Sequence, residues 1–159
     1  MNTRLLLYMA IEKLEVNSVR IARQNSMNML RQIVAMVGKE ASITILSYSV
    51  TDGWLRQLQH LKEEMQVKKV TVILDRDVMI RHRQLLNQLQ TVADDIYLSD
   101  SHAKAYIASG KTYELAVITS ANATQNYRNE CFYTTDRPAE LARLKDDVGT
   151  ILRQSFKIG

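Results

Sequence analysis

The sequence predicts an α/β domain in which a mixed, largely parallel sheet is flanked by helices in three layers. Three observations carry this. Residues 41–50 (ASITILSYSV) and 69–74 (KVTVIL) are β-branched runs of the length of buried strands. Each is followed by apolar residues at helical spacing: Trp54, Leu55, Leu58, Leu61 and Met65 after the first, Leu85, Leu86, Leu89 and Val92 after the second. Strand, helix, strand, helix at these lengths reads as βαβ units with right-handed crossovers.

The remaining elements follow in order. Residues 4–11 fit a strand or the first turns of a helix, since a short apolar run does not separate the two. The run 5–11 is followed at once by Glu12, Lys13 and Glu15 and has no small-residue cleavage pattern, so it is not read as a leader. Met27, Leu30, Ile33, Val34 and Val37 recur at helical spacing, and Gly38 stands where a helix C-terminus favours glycine. After Asp94 the pattern changes to short strands at 96–98, 103–108, 115–119 and 131–135. A Ser-Gly-Lys turn at 109–111 suggests a hairpin between the second and third. Leu141, Leu144, Val148, Ile151 and Leu152 mark a last helix over about 139–156. Residues 1–159 are read as a single domain, with 1–40 an N-terminal extension and helix and 41–155 the core that bears the motifs.

Composition narrows the functional classes. With 159 residues, 46% hydrophobic and 24% charged, the chain has the make-up of one ordinary globular core and not of a disordered segment. Its one cysteine, Cys131, rules out an internal disulfide framework, and one Cys with three scattered His does not supply a cysteine-rich zinc site. No apolar stretch approaches the roughly 20 residues of a membrane span. The expectation is a cytoplasmic protein without stable membrane association. A net charge of +4 suits a polyanionic partner.

His102 and Lys104 alternate within a predicted strand, so they share one face, while Ala103, Ala105 and Ile107 suit a core on the other. An imidazole beside an ammonium is electrostatically unfavourable unless an anion joins them, and phosphate is the obvious anion. The strand at 115–119 then delivers Ser120-Ala121-Asn122 at its end, where α/β folds commonly place active-site groups. Eight residues beyond Asn122, Glu130 opens the next strand with Arg128 just before it.

His102-Ala103-Lys104, Ser120-Ala121-Asn122 and the segment 126–132 (NYRNECF) resemble, in order and spacing, the motif of the phospholipase D superfamily. The resemblance covers roughly residues 41–155 and implies a small, single-motif member of the nuclease type. The family's Asp would fall five residues after the lysine, where this chain has Ser109, and Thr119 stands where the family has Gly before the serine. The resemblance implies that this Asp supports the site from outside the bond-breaking shell, with Glu114 or Glu130 as possible substitutes.

The implied chemistry is a metal-independent and cofactor-free phosphodiesterase. His102 attacks phosphorus to give a phosphohistidine, Lys104 and Asn122 bind the non-bridging oxygens, Ser120 adds a hydrogen bond, and Glu130 orients the imidazole. A second histidine must protonate the leaving group. His60 and His82 are read as exposed surface groups, so the second His102 comes from another copy in a homodimer. The substrate implied is DNA or RNA, with Arg76, Arg81, Arg83 and Arg128 as backbone-binding residues. Two alternatives stand beside this: a degenerate member that binds nucleic acid without cutting it, motivated by Ser109, and a phosphodiesterase acting on phospholipids.

Overall fold

The computed structural model describes residues 11–159, so the reading of residues 4–11 lies, but for Ile11, outside the described residues. Eight strands form one sheet among them: β1 (Ser18–Gln24), β2 (Ser42–Ser47), β3 (Lys69–Asp75), β4 (Asp95–Ser99), β5 (Ala105–Ser109), β6 (Glu114–Thr119), β7 (Arg128–Thr135) and β8 (Phe156–Ile158). Their spatial order is β1-β7-β6-β5-β2-β3-β4-β8. Five helices accompany them: α1 (Ser26–Val37), α2 (Asp52–Glu64), α3 (Arg76–Arg81), α4 (Arg83–Val92) and α5 (Pro138–Arg153).

The expected three-layer arrangement with a mixed sheet is present, but the share of parallel pairing is smaller than expected. Only β2–β3 and β3–β4 are parallel; β5, β6 and β7 form an antiparallel meander, and β1 and β8 close the two edges antiparallel. The physical reason is connection length. Parallel neighbours need a crossover of a dozen residues or more, which α2 and the α3–α4 pair provide, whereas the tight turn at Ser109–Gly110 can only reverse the chain. Gly110 is required there, because a Cβ at this position would lie 1.9 Å from the Val37 carbonyl oxygen.

One face of the sheet is covered by α1, α2, α3 and α4. Leu30, Ile33, Trp54, Leu55, Leu58, Leu61, Met79 and Leu89 bury there against Ile43, Ile45, Val70 and Val72. Each such fully buried side chain contributes about 1.5–3 kcal/mol. Asn25 caps α1 by accepting from the Asn28 amide, and Thr51 caps α2 by accepting from that of Trp54. Helix α1 ends at Gly38, whose φ of 88° lies in the region that favours glycine. On the opposite face α5 packs Leu141 and Val148 onto Leu46, Ile73, Ile107 and Ala116.

Three elements depart from the sequence reading. Strand β1 was not expected, because its apolar residues Val19 and Ile21 point to solvent, at 73% and 76% exposure, so its alternation shows no core-facing pattern. It pairs with β7, and α1 after it buries Leu30 and Ile33 in the core. The basic segment 77–83, which the sequence leaves open between a loop and a helix start, holds the separate helix α3, six residues long and capped by buried Asp75, which accepts from the amides of Asp77 and Val78. The last helix stops at Arg153, not near 156, and Phe156 instead opens β8 on β4.

Candidate active site

The topology collects the motif residues at one rim. β2, β3 and β4 run parallel, so their C-terminal ends share an edge of the layer. β5 is antiparallel to β2 and starts there; β6 therefore ends there and β7 starts there. His102 and Lys104 just precede β5, Ser120–Asn122 just follow β6, and Arg128 and Glu130 open β7. This is the rim at which α/β sheets hold ligands.

Contrary to expectation, His102 and Lys104 lie not inside β5 but on the segment leading into it. The ladder still reaches Lys104, whose carbonyl accepts from the Thr119 amide at 3.0 Å. Ala103, assigned to the core from the sequence, is exposed, because the sheet has already ended; Ala105 and Ile107 do reach the α5 side. Below the histidine, Tyr106 is fully buried, and its phenol is pushed well above the ordinary value by that burial.

His102 is exposed, and its ring stacks on that of Tyr48, with centroids 4.2 Å apart and planes at 30°. Lys104 Nζ donates to the His102 carbonyl oxygen at 3.1 Å. Glu130, expected to orient the imidazole, has its hydrogen-bond partner in Ser120. It accepts a short hydrogen bond from Ser120 Oγ, which in turn accepts from the Cys131 amide at 3.1 Å. Ser120 is further held through its own amide on the Cys131 carbonyl at 3.0 Å. The serine hydroxyl proton is thus committed to a carboxylate.

The Asn122 segment is tied to the end of β2. Ser47 Oγ accepts from the Ala123 amide at 2.9 Å and donates to the Ser49 carbonyl at 2.6 Å, while the Thr51 amide donates to the Ala123 carbonyl at 3.2 Å. Asn122 Oδ1 is buried without a hydrogen-bond partner, unusual for a polar atom. An amide with one unpaired end at the rim is suited to meeting a polar ligand.

The four arginines are carried by α3, α4 and β7. Arg76 opens α3 directly after β3, exposed, with Asp77 at 3.9 Å. Arg81 and Arg83, with His82 and Gln88, line a cleft of about 470 Å³ that also touches Asp52 at the start of α2. Arg128 is exposed beside Gln24 in the β1–β7 register. His60 and His82 are both exposed, as expected. Ser109 is elsewhere: it ends β5 at the opposite edge and bonds Glu114. Tyr48 and Ser47 went unnoticed in the sequence, since their role depends on β2 and β5 being neighbours.

No family model matches the chain, and no curated protein matches it in sequence. Solved structures do. A phospholipase D family member, Nuc from Salmonella typhimurium, superimposes with a TM-score of 0.61 at 14% identity, over 89% of this chain and 97% of that one. NucT from Helicobacter pylori gives 0.62 at 17%, over 89% and 98%. TrmBL2, an archaeal chromatin protein that binds DNA, gives 0.60 at 13%, over 97% of this chain and 59% of the other. The chain therefore has the fold of the phospholipase D-like nucleases.

Proposed function

We propose that the chain is a phosphodiesterase of the nuclease type that works as a homodimer on DNA or RNA. The observation that supports this most is the convergence of His102, Lys104, Ser120 and Asn122 on one rim of a fold shared with Nuc and NucT.

In this reading the neutral imidazole of His102 attacks phosphorus. The N–P bond forms as the P–O bond to the leaving alkoxide breaks, and the alkoxide takes a proton from His102 of a second copy. That second imidazole then accepts a proton from water, whose oxygen attacks phosphorus and releases His102. Lys104 and Asn122 stabilise the charge on the non-bridging oxygens. Lys104 must leave the His102 carbonyl to do so, a small rearrangement for an exposed side chain. Ser120 and Glu130 act as a pair that fixes the strand end. Arg76, Arg81, Arg83 and Arg128 carry the flanking phosphates.

The test is hydrolysis of bis-p-nitrophenyl phosphate and of a labelled oligonucleotide in EDTA. Turnover that vanishes in His102→Ala is expected; identical rates in the two proteins would remove the reading. A second reading, binding without cleavage, is favoured by the committed Ser120 proton and by the likeness to TrmBL2. Salt-dependent DNA binding that is lost in Lys104→Ala, with no turnover of either substrate, would establish it instead.

A further inference from the structure

Imidazole that attacks phosphorus must present an in-plane nitrogen lone pair to the substrate. A histidine on an exposed extended segment has little to hold its ring, because its second side-chain torsion is broad and only loosely two-fold. His102 has no carboxylate hydrogen-bonded to its ring among the described residues, since Glu130 is taken by Ser120. Its ring contact is the face of Tyr48, at 4.2 Å and 30°. This contact restrains the plane of the imidazole and leaves both nitrogens at its edge free.

The tyrosine is itself held. It is half-buried in the bend that follows β2, and the bend is fixed by Ser47 Oγ donating to the Ser49 carbonyl at 2.6 Å. The same hydroxyl accepts from the Ala123 amide, and Val50 forms a parallel bridge with Ala123. The ring on His102 and the amide of Asn122 are therefore braced from one turn, which couples nucleophile and oxygen-binding group geometrically. The tyrosine face also suits a positive imidazole, as a phosphohistidine or imidazolium would be.

We infer that Tyr48 is the positioning residue of His102: its ring sets the plane of the imidazole, and its hydroxyl is dispensable. This rests on the reading of His102 as the nucleophile. Two measurements test it. The first is proton NMR of the imidazole CH groups, where the stacked ring displaces the His102 signals upfield of those of His60 and His82. The displacement persists in Tyr48→Phe and disappears in Tyr48→Leu and Tyr48→Gln. The second is steady-state hydrolysis of bis-p-nitrophenyl phosphate. Loss of the ring lowers kcat by about 10- to 100-fold, the scale of a small misplacement of reacting groups, with KM changed by less than about twofold, and Tyr48→Phe keeps wild-type kcat.

An undisplaced His102 signal in the wild-type protein would overturn the inference without any variant being needed. So would wild-type kcat in a folded Tyr48→Leu or Tyr48→Gln protein, or a Tyr48→Phe protein as impaired as these. Absence of turnover in the wild type sinks the hydrolase reading alone, and the NMR comparison then decides on the stack.

Discussion

Ser109 Oγ donates to Glu114 Oε2 at 2.5 Å across the β5–β6 register pair, and Lys145 of α5 closes on the same carboxylate at 2.6 Å. Position 109, where the phospholipase D motif has Asp, thus belongs to a contact between sheet and α5. Five residue steps along the strand lead from it to Lys104, about 17 Å at ~3.3–3.4 Å per step. Ser109→Ala removes one hydrogen bond and is expected to cost about 1 kcal/mol of stability. Ser109→Asp brings a second carboxylate to Glu114 and also lowers the melting temperature. Neither is expected to change kcat on bis-p-nitrophenyl phosphate by more than about twofold, the measurement that separates support of the fold from support of the chemistry.

The same contact makes stability depend on acid. Burial raises the Glu114 carboxyl, but Lys145 and the Ser109 hydroxyl outweigh it and hold the group below the ordinary carboxylate value. A carboxyl lowered in the folded state stabilises at pH above its unfolded value, and that contribution is lost as pH falls through its folded value. Comparing urea midpoints of wild type and Glu114→Gln from neutral pH down to about pH 3 checks the sign. The wild-type advantage should be full at neutral pH and shrink with acid; an advantage that grows toward low pH would contradict it.

Two glycines near the helix ends predict opposite outcomes. A Cβ on Gly110 would meet the Val37 carbonyl oxygen at 1.9 Å, and backbone on both sides leaves no easy escape. Gly110→Ala is expected to destabilise by about 2 kcal/mol or more. A Cβ on Gly53 would meet the Gln125 side-chain amide at 2.3 Å, but Gln125 is exposed and its end can swing aside. Gly53→Ala should therefore cost less than about 0.5 kcal/mol. Thermal melts of the two variants decide whether the turn at 110 is as tightly seated as the geometry says.

Much of this arrangement was legible in the chain itself. β2 and β3 bury residues on both faces, so their β-branched runs announce them, and the helices after them show their buried stripes at Trp54, Leu58 and Leu61. His102, Lys104 and Ser120-Ala121-Asn122 could be gathered because the strands that carry them are consecutive. What escaped reading depends on neighbours far apart in sequence or on surfaces without a core. β1 turns Val19 and Ile21 outward, on a part of the sheet that α5 does not cover, so hydrophobic alternation misleads there. Tyr48 meets His102 only because β2 pairs with β5, and Glu130 meets Ser120 only because β6 pairs with β7; neither adjacency has a local signal.

The proposed use of two histidines yields the last prediction. His102 is the histidine carried with Lys104 on the segment that enters β5, whereas His82 lines the cleft beside Arg81 and Arg83 and His60 is exposed on α2. If the reaction uses one imidazole as nucleophile and the other as acid, each working site draws on two copies related by a two-fold axis. Wild type mixed with an equal amount of His102→Ala, unfolded and refolded together so that subunits exchange, then gives random dimers. Only about a quarter of these contain two histidines, so activity per total protein should fall to about one quarter of wild type, against about one half if each copy works alone. The mixing curve should follow the square of the wild-type fraction. A straight line through the mixtures would show that one chain completes the chemistry by itself.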